Sequence, residues 1–100
     1  MVKHIILWTL HPELSQEEKT QIKIGIKEGL EDLLGKIPGL VQVHVQITGL
    51  DSSTADLMLD TTFESEEALK NYAKHPAHVA VADSKVRPYT AIRSCLDYIV

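Results

Sequence analysis

Near its amino end the chain runs Val2-Lys3-His4-Ile5-Ile6-Leu7-Trp8-Thr9-Leu10, which is apolar on both sides of an extended backbone. Ile6, Trp8 and Leu10 fall on one face of such a strand, and Ile5 and Leu7 on the other. A strand that is apolar on both faces is normally covered on both. This segment is therefore expected at the centre of a sheet, with something packed over each surface.

The neighbouring segments supply that sheet. His11-Pro12 ends the first strand, and Ser15 with Glu18 forms an S-x-x-E capping box that starts a helix. Ile22, Ile26, Leu30, Leu33 and Leu34 follow at helical spacing, with Ile37 at the exit. Gly25 and Gly29 weaken this helix, and close packing against a sheet, or room for a ligand, would account for them. Ile37-Pro38-Gly39 is a stop and turn. Val41, Val43, Val45 and Ile47 then alternate with Gln42, His44 and Gln46, the period of a half-buried strand. A loop over residues 48–54 leads to a third strand from Ala55 to Phe63, with Leu57, Leu59 and Phe63 on one face. Ser65 caps a second helix that ends near Lys74, because a residue before proline, here His75, is pushed out of helical geometry. Pro76 suits the first position of a short helix running through Val79, Val81 and Ala82 before Pro88. Ala91 to Ile99 reads as the last strand.

The order is βαββαβ with a short extra helix before the final strand, the split-βαβ or ferredoxin-like α+β arrangement. Two helices would cover one sheet face and leave the other open. The two-faced first strand then predicts a homodimer packed sheet against sheet.

Composition narrows the function. The chain has 100 residues, 44% hydrophobic and 24% charged, with a net charge of -4. No Lys/Arg cluster is present to displace counterions, so nucleic acid is not an expected partner. No segment resembles a secretory signal or approaches the length of a membrane span, and a soluble cytoplasmic setting is expected. The lone Cys95 cannot form an internal disulfide and reads as a small core residue rather than a nucleophile. With no linker or repeat, residues 1–100 read as one domain.

Chemistry is concentrated in Tyr72-x-x-His75-Pro76-Ala77-His78. If Pro76 opens a helix, His75 lies at its N-cap and His78 in its first turn, where free N–H groups disfavour an imidazolium. A neutral imidazole can act as general base, and the Tyr72 phenol beside it can polarise a carbonyl. His4, on the face of Ile6 and Trp8, lies in the strand that the helices should cover. The same residues also suit a purely structural corner, with Tyr72 in the core and its hydroxyl tethered. His75-x-x-His78 invites a zinc reading, but no cysteine or carboxylate lies beside it at ligand spacing. Neither a metal nor a cofactor is expected.

Val2-Lys3-His4-Ile5-Ile6-Leu7, Ile37-Pro38-Gly39, Phe63-Glu64-Ser65-Glu66-Glu67-Ala68-Leu69 and Tyr72-x-x-His75-Pro76-Ala77-His78-Val79 together resemble the stress-responsive A/B barrel (Dabb) family. The resemblance spans essentially the whole chain and implies a dimeric α+β barrel of two ferredoxin-like subunits. The family includes a plant polyketide cyclase, very heat-stable plant assembly proteins and many bacterial members with no known role. Resemblance to the cyclase implies His78 as base, Tyr72 as its helper and His4 in the pocket. His75, Trp8, Ile26 and Leu57 are further ligand-binding candidates. The sequence departs from the cyclase around Leu57, where a histidine is replaced, and around Ile26 and Lys27, where a tyrosine is absent. Two functions follow. One is a cofactor-independent cyclase- or lyase-like enzyme, or a binder of a small carbonyl-containing or aromatic molecule. The other is a stable dimeric module without chemistry.

Overall fold

The computed structural model describes residues 1–100. Its elements are β1 (Val2–Leu10), α1 (Gln16–Glu31), β2 (Leu40–Gln46), β3 (Leu57–Phe63), α2 (Glu66–Lys74), α3 (Pro76–Val81) and β4 (Thr90–Ile99). A π-helical turn, Ala82–Val86, and a 3₁₀ turn, Arg87–Tyr89, join α3 to β4. The fold is ferredoxin-like α+β. Its four antiparallel strands lie in the order β2-β3-β1-β4, which makes β1 central.

Local signals account for the helix starts. The Ser15 hydroxyl accepts from the Glu18 N–H, and the Glu18 carboxylate accepts from the Ser15 N–H. Ser65 caps α2 through the Ala68 N–H, and His75 caps α3 through the Ala77 N–H. The register then puts Val2, His4, Ile6, Trp8 and Leu10 on the helix side, opposite Leu57, Leu59, Thr61 and Phe63 of β3. These residues and Ile26, Leu30, Leu33, Val45 and Tyr72 form the core.

The structure departs from the sequence reading in several places. A register shift between Leu40 and Gln42 gives the inner position to Leu40 and leaves Val41 exposed, so simple alternation misassigned Val41. Helix α1 ends at Glu31; Leu33 reaches the core from the turns that follow, whereas Leu34 is exposed. Gly29 meets the α3 region instead of the sheet, since a Cβ there would lie 3.0 Å from Val81 Cγ1 and Lys85 Cδ. Cys95 is exposed rather than buried, because β4 is an edge strand beyond the cover of the helices.

The second sheet face is open in the single chain. Leu7 is 43% exposed and Leu96 64% exposed there, with Ile5 and Tyr98 on the same side by register. Toward β2 this face turns polar. Lys3 Nζ donates to Thr62 Oγ1 at 3.1 Å and lies 2.5 Å from Asp60 Oδ1, an ion-pair contact without a well-directed hydrogen bond.

Candidate functional site

The corner and the central strand meet over one cavity. Tyr72 lies in the last turn of α2, where its ring is 2% exposed and packs edge-on against Phe63 with centroids 4.9 Å apart. Pro76 starts α3 directly after the His75 boundary and turns His78 back over Tyr72, bringing the ring centroids to 4.2 Å. His4 approaches from β1 with its ring 6.3 Å from that of Tyr72. These three side chains and Trp8 line a cavity of about 190 Å³, with Ile6, Leu30 and Leu59 forming its apolar wall.

Three other expected positions lie elsewhere. His75 Nδ1 accepts the Ala77 N–H, so its imidazole is committed to capping α3. Ile26 is fully buried in the core; Leu30, one helical turn later, takes the place facing the cavity. Leu57 pairs with Trp8 across the sheet but is packed within the core cluster.

The environment sets the protonation states. Burial is the main influence lowering the His78 pKa from 6.5. The Ala73 carbonyl opposes the shift, while the positive Arg87 and Arg93 reinforce it. The cause is therefore chiefly burial between helix and sheet. His78 Nδ1 lies 3.3 Å from the Ala73 carbonyl oxygen, which can only accept. That contact puts the proton on Nδ1 and leaves the Nε2 lone pair free. The Tyr72 hydroxyl is under no hydrogen-bonding or charge influence from the protein, and burial alone pushes its pKa up to about 12. It stays protonated as a donor beside a neutral acceptor.

Sequence reasoning missed the contribution of the last strand. Arg93 lines the cavity opposite Trp8, and Asp97, opposite His4, holds His4 Nδ1 at 2.5 Å. Arg87 also lines the cavity and pairs with Asp83. The available signal was the alternation of Arg93, Cys95 and Asp97 with Ile92, Ser94, Leu96 and Tyr98. It places charged residues on the side that continues the helix-covered face.

A ferredoxin-like chain with a cavity between its sheet and helices defines the class. Within it, the chain belongs to the Stress responsive A/B Barrel Domain family, whose profile matches residues 2–100. A search of curated proteins returns no match. Among solved structures, a dimeric protein of unknown function with a ferredoxin-like fold from Bacteroides fragilis is 32% identical. That match covers 97% of this chain and 93% of the other, with a TM-score of 0.91. A Dabb family protein from Mesorhizobium loti is 22% identical over 99% of this chain and 95% of its own, with a TM-score of 0.72. Hydroxynitrile lyase from Passiflora edulis is 20% identical over 99% of this chain and 92% of its own, with a TM-score of 0.73. The last two likenesses show the fold. No helix of the chain is long and apolar enough to cross a membrane.

Proposed function

We propose that this protein binds a small carbonyl-containing or aromatic molecule between sheet and helices and moves a proton on it, in cyclase- or lyase-like chemistry without a cofactor. His78 is the base through Nε2, Tyr72 donates to the carbonyl oxygen, and His4, held by Asp97, orients the ligand. The observation that carries this reading is the contact of a neutral imidazole with a protonated phenol that has no partner in the protein, both at the wall of one cavity. Size limits the ligand. A cavity of roughly 150 Å³ accepts benzene, so about 190 Å³ suits one ring with a short substituent. Arg93 adds a positive charge that favours an enolate or carboxylate. The Passiflora edulis lyase adds a precedent for lyase chemistry on this fold.

The working unit in this proposal is a homodimer joined through the open sheet faces. Exposed Leu7, Leu96 and Tyr98 support it, as does the dimeric Bacteroides fragilis relative.

The test is exchange of α-protons in small aryl ketones in heavy water, followed by proton NMR, with native mass spectrometry on the same samples. A dimer is expected, with exchange above buffer that falls by about 10²-fold or more in His78→Ala. Equal exchange by wild type and His78→Ala across the ketone panel would reject the base assignment. A monomer would reject the sheet-to-sheet assembly.

A further inference from the structure

We propose that His4, Cys95 and Asp97 form a three-ligand site for a divalent transition metal of the zinc type. The sequence reading considered His75 and His78 for such a role and expected no metal. The structure commits His75 to capping and assembles a different donor set from residues 91 and 93 positions apart in the chain.

Strand register builds this cluster. His4 of β1 sits directly opposite Asp97 of β4, and Cys95 lies two residues earlier on the same face of β4. Their ligand atoms all lie within 4.8 Å of one another. A tetrahedral zinc ion with ordinary Zn–N, Zn–O and Zn–S bonds separates its ligand atoms by roughly 3.4–3.6 Å. The Cys95 Sγ to His4 Nδ1 distance is 3.8 Å and the Cys95 Sγ to Asp97 Oδ1 distance is 3.4 Å, so two of the three edges are close to that spacing. Only the His4–Asp97 edge, at 2.5 Å, is too short. It must open by about 0.9 Å to reach the tetrahedral spacing. The Asp97 side chain is 45% exposed, so its carboxylate can rotate to do so.

The donor set and its surroundings narrow the ion. One thiolate, one imidazole and one carboxylate suit zinc or cobalt, whereas magnesium and calcium prefer oxygen ligands alone. Three protein ligands with a fourth position left for water or substrate match the arrangement of catalytic rather than structural zinc. The cluster borders a second cavity, of about 680 Å³, that shares His4, Leu69, Ala73 and Arg93 with the first. That space accommodates a fourth ligand. Burial and the Asp97 carboxylate raise the Cys95 pKa and Arg93 only partly opposes them, so the thiolate would form as the metal binds, with release of a proton. Glu66 and Lys70 of α2 also face this cavity, so the local charge is mixed and does not exclude a cation.

The test titrates cobalt(II) into chelator-treated full-length protein while recording absorption, then displaces it with zinc. The expected result is one cobalt per chain, with a thiolate-to-cobalt charge-transfer band and the intense visible bands of a tetrahedral site. Cys95→Ser should abolish the charge-transfer band. Asp97→Asn should weaken binding by more than about tenfold. Both positions are exposed, so circular dichroism should show an intact fold, and His11→Ala, away from the cluster, should titrate like wild type. Absence of the band in wild type overturns the proposal. So does unchanged affinity in Asp97→Asn, which would mean that a lone surface thiol had captured the ion. The ketone exchange is judged separately through His78→Ala; Asp97→Asn, which also releases His4, is read by cobalt affinity alone.

Discussion

Removing the Tyr72 hydroxyl separates the two functional readings. If Tyr72 were only a tether, Tyr72→Phe would lose a hydrogen bond worth about 1 kcal/mol, a drop of roughly 4–8 °C in Tm for a domain of this size. The hydroxyl, however, has no partner in the protein, and only burial acts on it. The ring stays in place in the variant, so its contacts with Phe63 and His78 survive. Stability should therefore hold, because no hydrogen bond within the protein is lost and the hydroxyl is not among the fully buried unsatisfied groups. Tyr72→Ala provides the scale. It deletes a buried aromatic ring at a cost of about 3–5 kcal/mol. The assay is thermal unfolding followed by circular dichroism at matched protein concentration, since the proposed dimerisation would make Tm concentration-dependent. Tyr72→Phe should match wild type in Tm while losing ketone exchange. A fall of roughly 4–8 °C would refute this reasoning and assign the hydroxyl a structural role.

Two further outcomes are expected. Ser15→Ala removes the acceptor that satisfies the Glu18 N–H and should cost about 1 kcal/mol in urea unfolding, with ketone exchange unchanged. Folding lowers the His78 pKa below its ordinary 6.5, so between the two values the unfolded chain binds more protons and stability rises with pH. The stabilising effect of a neutral His78 is complete above about 6.5 and disappears as pH falls through the folded value. Compared with His78→Gln, wild type should gain stability as pH rises across that window, and ketone exchange should fall on its acid side. A stability difference that is flat or declines with pH would contradict the burial of the imidazole.

Much of the fold was legible in the sequence because its signals are local or periodic. Ser15-x-x-Glu18, the His75-Pro76 boundary and the alternation along residues 57–63 each act within a few residues, so they announce elements before any packing is known. The Tyr72–His78 pair was legible for the same reason: a helix end, a proline and a helix start fix their relation over seven residues. Leu40 and Val41 show the limit of such reading, since a bulge changes which residue points inward without altering the pattern.

By itself, then, the sequence determined the order of elements, the two-faced central strand and the corner that holds Tyr72 and His78. Tertiary structure decided what stands opposite that corner. Arg93, Cys95 and Asp97 reach the site only because β4 pairs antiparallel with β1, which sets Asp97 against His4 across 93 residues of chain. It also decided that Leu30 rather than Ile26 faces the cavity, and that burial lowers the His78 pKa. Periodicity specifies which residues share a face of their own element. Register and packing specify which faces meet, and those depend on contacts between segments far apart in sequence.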